Sequence, residues 1–214
     1  MTDFWRLAPG DIEAKSFAII DQEAGERSWP PVEWSLVRRL VHASADFDYV
    51  KDTVMSPGAI TAGVEAIQAG ATIVTDTRMA LSGINRSRLA PFGNEIVCLI
   101  DDPKTLELAK AGTRAQAAVE AAYGKSLDPS QLIWVFGNAP TALFRLLEIL
   151  ADPTKARPRL IVGLPVGFVN ALESKRELAQ SAPAPFITNL SRKGGSNIAA
   201  AAINALAILA NRPV

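Results

Sequence analysis

At 214 residues, with 49% hydrophobic and 21% charged residues, the chain has the size and composition of one ordinary globular domain. Its 22 basic and 22 acidic residues cancel, which argues against a general nucleic-acid binder. One Cys and one His exclude a disulfide framework and the usual Cys/His zinc sites within the chain, and leave a Ser-His-Asp triad only if His42 is its base.

Two helices are expected ahead of the first strand, at 11–23 and 31–45. A third, at 57–68, follows Ser56, read as its N-cap with Pro57 at the first helical position. Five apolar runs then read as strands: 71–75 (ATIVT), 95–100 (EIVCLI), 132–136 (LIWVF), 160–163 (LIVG) and 186–190 (FITNL). They do not alternate apolar with polar, as suits strands buried on both faces of a parallel sheet. Helices are expected between and after them, at 105–123 (with Gly124 as a C-cap signal), 140–150, 168–180 and 197–209. Strands alternating with helices imply βαβ units and an α/β fold with a mainly parallel, Rossmann-like sheet of about five strands. Cys98, inside an apolar strand, is expected to be an inert core thiol. No run reaches the roughly 18 apolar residues a membrane span needs. The N-terminus shows no signal-peptide pattern, so a cytoplasmic location is expected.

In open α/β sheets ligands bind beyond the carboxyl ends of the strands. The segments that follow the five runs are therefore the places to look. The most informative is Ser191-Arg192-Lys193-Gly194-Gly195-Ser196-Asn197. Two cations and a glycine pair precede a long helix, with Ser196 placed to cap it. Free N–H groups there favour an anion; the alternative is a plain loop-to-helix turn with solvated cations. No segment fits G-x-G-x-x-G or the Walker A pattern, so a nucleotide site has no support. Asp101-Asp102-Pro103 reads as a helix start ahead of a metal site.

Charge is uneven. Residues 1–52 carry ten acids against six bases, and residues 153–193 carry seven bases against two acids. The basic stretch is either a scatter of solvated cations or a rim around an acidic ligand. Arg39 and His42 lie three apart and share a helix face, where Arg39 would hold an anion beside a proton donor. Taken alone, a single His on an amphipathic helix is more often packed or exposed than catalytic. Glu33 and Asp46 are candidate salt-bridge partners for Arg38 and Arg39. Arg114, expected within the long helix, is either a surface charge or an anion contact.

Several stretches together resemble the precorrin-8X methylmutase family of corrinoid biosynthesis. They are Ser16-Phe-Ala-Ile-Ile, Arg39-Leu-Val-His42-Ala, Ser56-Pro57, Met79…Gly83-Ile84, Gly93-Asn94-Glu95, Thr113-Arg114, GNAPTALF at 137–144, Gly163-Leu-Pro-Val-Gly-Phe-Val169, Glu173-Ser174-Lys175 and Gly194-Gly195-Ser196. They run in order from about residue 10 to 208. The resemblance implies a three-layer α/β/α sandwich forming a single domain over 1–214, with residues 1–50 as a helical segment packed on it. It implies an isomerase that moves a methyl group from C-11 to C-12 of ring C of precorrin-8X or cobalt-precorrin-8, giving hydrogenobyrinate or cobyrinate. No cofactor and no metal is implied; the expected partners are the corrinoid and a second copy in a homodimer, with no nucleic acid and no membrane. His42 matches the family's general acid. Ser16, Arg39 and Arg114 match substrate contacts, Asn85 falls where some members have Thr, and the Gly194-Gly195-Ser196 loop is expected close to the macrocycle. Phe168, Val169 and Ile84 are expected to cover the apolar ring. The competing reading is a non-catalytic corrinoid carrier, which would not need His42.

Overall fold

The five apolar runs and one further strand that the sequence did not announce form a six-stranded sheet: β1 (Thr53–Met55), the added strand, β2 (Thr72–Thr75), β3 (Ile96–Cys98), β4 (Leu132–Phe136), β5 (Leu160–Gly163) and β6 (Phe186–Asn189). The helices are α1 (Pro9–Glu23), α2 (Pro31–Ser44), α3 (Asp48–Asp52), α4 (Ala59–Gln68), α5 (Arg78–Gly83), α6 (Arg86–Leu89), α7 (Pro103–Leu108), α8 (Arg114–Gly124), α9 (Pro140–Leu150), α10 (Ala171–Ser181) and α11 (Ser196–Ala210). The computed structural model describes residues 8–26, 28–124 and 128–212. The strand order is β1-β6-β5-β4-β2-β3. Strand β1 runs antiparallel to β6, and every other pair is parallel.

Successive residues of each strand feed opposite cores. Ile133, Val135, Leu160, Val162 and Ile187 pack under α2, α4 and α11. Leu132, Trp134, Phe136, Ile161 and Phe186 pack under α8, α9 and α10. Both faces are covered, so the alternation is apolar–apolar and the strands read as continuous runs. Each such side chain contributes about 1.5–3 kcal/mol on burial, which makes the strand centres the anchor of the three layers.

Where expectation and structure part, a local competitor explains it. Ser56 does not cap the next helix. Its hydroxyl accepts the Phe186 N–H at 2.9 Å and its own N–H donates to the Phe186 carbonyl, extending the β1–β6 pairing. Helix α4 starts later, after Gly58 at φ 75°. The helix expected over 105–123 is two helices with an extended Gly112 between them. Gln116 Oε1 accepts the Thr113 N–H at 3.1 Å while Thr113 Oγ1 accepts the Gln116 N–H at 3.2 Å, a reciprocal capping box that starts α8. Arg114 therefore heads a helix instead of lying within one. Cys98 is half-buried on an edge strand, not a core thiol.

Candidate active site

The order of the parallel strands reverses between β2 and β4, the switch point at which open α/β sheets bind ligands. Asp76 leaves β2 here. Its buried carboxylate accepts the N–H groups of Gly137, Asn138 and Ala139 at 2.7–3.1 Å. Burial pushes the Asp76 carboxyl above its ordinary range, against the pull of those three donors. The clamp fixes the β4–α9 loop. Gly137 in turn lies under the head of α11: a Cβ there would stand 2.6 Å from Ser196 Cα.

The Gly194-Gly195-Ser196 loop crosses this point. The Gly195 N–H donates to Leu164 O at 3.0 Å, and a Cβ on Gly194 would stand 2.3 Å from the same oxygen. Only glycine lets the two loops approach so closely. Gly195, not Ser196, is the N-cap of α11. The buried Ser196 hydroxyl instead meets Thr77 Oγ1 at 2.8 Å, which ties the helix head to the β2 loop. The first-turn N–H groups of α11 have no partner within the helix and head the crevice.

Strand β1 brings α2 to the same edge. Because β1 is antiparallel, its start lies where the parallel strands end, and Leu190 N–H donates to Asp52 O at 2.8 Å just before it. The last turn of α2 carries His42, which is exposed. Its ring stands edge-on to Phe17 at 5.2 Å and 71°. His42 and Ser16 line one groove of about 320 Å³, floored by Ile19, Ile20, Val41 and Phe47. The Ser16 hydroxyl donates to Ile12 O at 2.8 Å. Arg39 lies 5.1 Å from the Phe17 ring and pairs with Glu13 at 3.0 Å, holding the Glu13 carboxyl below its usual range. Arg38 pairs with Asp21 at 2.7 Å. Neither arginine uses Glu33 or Asp46, because α1 lies alongside and presents its own acids.

The structure brings His42, Ser16 and Arg39 together and sets the Gly194–Ser196 loop beside them; Asn197 Nδ2 donates to Ala43 O at 3.4 Å. Asn85 lies along α11, its N–H on Asn204 Oδ1 at 2.8 Å. Its side-chain oxygen caps α6 by accepting from the Ser87 N–H at 3.1 Å and hydroxyl at 2.6 Å. Arg114 stands apart, beyond β3: it faces Asp101 at 3.8 Å, and Arg78 binds that carboxylate at 2.6 Å. Phe168 and Val169 are 85% and 77% exposed. Ile84, expected to cover the ring with them, is buried in the core and cannot serve that role. Arg192 lies 5.7 Å from the Phe168 ring and, among the described residues, pairs with no carboxylate.

Two residues were missed. Asp76 was visible only as an acid after a strand. Lys175 is fully buried, donating to Asn189 Oδ1 at 3.1 Å and Lys193 O at 2.7 Å. Burial pulls it down to about 8. Its signal was its register: Ala171, Ser174, Lys175 and Leu178 share the buried stripe of α10.

A family model described as precorrin-8X methylmutase matches residues 11–209. The cobalt-precorrin-8 methylmutase of Leptospira interrogans is 44% identical over 209 residues, covering 94% of each chain. The precorrin-8X methylmutase of Pseudomonas aeruginosa is 44% identical over 199 residues, covering 92% of this chain and 93% of its own. A crystal structure of the precorrin-8X methyl mutase from Thermus thermophilus aligns with a TM-score of 0.87 at 51% identity, over 94% of this chain and 96% of that one.

Proposed function

The chain belongs to the precorrin-8X methylmutase family and is an isomerase of corrin biosynthesis; from that premise we propose that it moves a methyl group from C-11 to C-12 of ring C, with His42 as general acid. The observation that carries this reading is the seat of His42. The chain's one imidazole is exposed in a groove that adjoins the glycine loop at the sheet's carboxyl edge.

The chemistry needs little more than that. Protonating the macrocycle labilises the C-11 methyl group. Substrate and product are isomers, so the proton lent must be returned, and one imidazole can do both. General acid help contributes about 10²–10⁴-fold. The rest comes from holding the ring in a reactive geometry. The substrate is a flat apolar ring with carboxylate arms. Arg39, Arg114 and Arg192 offer forks for those arms, and the head of α11 offers N–H groups. Phe168 and Val169 supply apolar cover. Ser16 stands one groove wall from His42. We propose a homodimer, in which a second copy covers exposed apolar side chains such as Met79. The substrate is precorrin-8X or its cobalt form, and no cofactor takes part.

His42→Ala tests the assignment. The variant is expected to stay folded, to bind the coloured corrinoid, and to make no methyl-shifted product from substrate alone. Turnover retained in that variant ends the acid assignment.

A further inference from the structure

Lys193 is the second cation of the loop, yet it does not face out as a rim charge. Its Nζ binds Asp46 Oδ2 and Asp48 Oδ2, each at 2.5 Å. Its carbonyl accepts from the buried Lys175 at 2.7 Å and from Asn189 Nδ2 at 3.0 Å, and its N–H reaches Ser191 Oγ at 3.3 Å. Every polar group of the residue is committed, and the next residue is Gly194.

The other end of this link is as firmly placed. Asp46 lies four residues past His42, just beyond Ala45, whose φ of 53° ends α2 in a left-handed cap. The Asp46 N–H donates to Ser44 Oγ at 3.2 Å, and Asp46 Oδ1 accepts the Asp48 N–H at 2.9 Å. The Lys193 bond holds the Asp46 carboxyl below its ordinary range. A single side chain thus joins the turn behind His42 to the residue ahead of the glycine pair.

We propose that Lys193 is a positioning residue for the methyl shift: its two ion pairs set the spacing between the His42 end of α2 and the Gly194-Gly195 turn that seats the macrocycle. The inference rests on the reading of His42 as the proton donor. Proton transfer demands a donor at hydrogen-bond range of one ring position, while the loop fixes the ring as a whole. A misplacement near 1 Å between the two can cost about 10²-fold in rate. Half-exposed ion pairs add little to fold stability, so their loss is readable as geometry and not as unfolding.

The test compares Lys193→Met, Lys193→Arg and His42→Ala in the full chain. Three quantities are measured: the melting temperature, the affinity for the methyl-shifted product, and the single-turnover rate. Lys193→Met is expected to melt with the parent, to hold product within about threefold, and to react about tenfold or more slowly. Lys193→Arg, which can span both aspartates, is expected to recover most of that rate. Should Lys193→Met fail to fold, Asp48→Asn, which leaves the Asp46 pair intact, carries the same comparison with a smaller loss. The proposal is overturned if Lys193→Met reacts within twofold of the parent, or if its rate and affinity fall in equal proportion, which would make Lys193 an arm contact. Turnover in His42→Ala sinks the acid reading whatever Lys193 does. An inactive His42→Ala beside a normal Lys193→Met sinks only the positioning role.

Discussion

The two ends of the sheet's carboxyl edge are built differently. At the β1–β6–β5 end the loop residues are pinned from inside. Lys175 and Asn189 are both 0% exposed and hold the Lys193 carbonyl, while Gly194 touches the backbone of Leu164. At the β2–β3 end Arg78, Asp101 and Arg114 are 67%, 42% and 62% exposed and, among the described residues, form ion pairs only with one another. Buried polar links specify one geometry, since an unmade bond there is costly. Exposed ion pairs contribute little to folding. The first end is fixed by buried contacts, while the second carries exposed charges, and under the proposed function it is the one suited to meet a charged arm and release it.

Three variants press on that contrast, beginning with the one expected to do most. Gly194→Ala forces a methyl group against Leu164 O at a backbone φ of 156°. It should cost about 1–3 kcal/mol, a drop of several degrees in a thermal melt at roughly 2–4 °C per kcal/mol, with weaker corrinoid binding besides. An unchanged melting curve and affinity would erase the distinction between the two ends. Arg114→Ala should do the reverse, weakening product affinity by about tenfold through a lost charge-assisted bond while leaving the melt nearly unmoved. A binding titration beside a melting curve decides it, and unchanged affinity refutes the contact. The third variant concerns Lys175. Its folded pKa of about 8 lies below the ordinary 10.5, so between those values the unfolded chain binds more protons. The contribution of Lys175 to stability should therefore rise from about pH 8 to 10.5, and fall as pH drops through 8. Lys175→Met should lose that slope in a pH series of melts; a variant that keeps the parent's slope shows that another group titrates.

The five parallel strands were legible because burial on both faces leaves unbroken runs of Ile, Val and Leu. Strand β1 was not, since three residues give no period and its identity depends on Phe186, 130 positions away, claiming Ser56. The break at Gly112 was legible in principle, through Thr113 and Gln116, but the Ala-rich run around it has strong helix propensity of its own. His42, Ser16 and the glycine loop could be named from the family resemblance, and the antiparallel β1 supplies what the sequence lacked, the reason they share an edge. For Lys193 the sequence leaves open an anion seat or a solvated cation, and the structure shows a third arrangement, an ion pair with two aspartates. Its partners, Asp46 in the α2–α3 turn and Asp48 at the start of the short α3, carry no pattern to betray them. Lys175 was hidden by its type, for lysine is rarely buried.

Both outer strands of the sheet, Thr53–Met55 and Ile96–Cys98, are only three residues long, shorter than any strand between them. A long open edge is a template on which another chain can add a strand. Here each border offers few unpaired backbone groups, and the apolar runs that would reward such addition lie inside. The brevity that hid β1 from the sequence thus guards an Ile- and Val-rich sheet against edge-to-edge aggregation, so substitutions that lengthen either border carry a solubility hazard apart from any effect on catalysis.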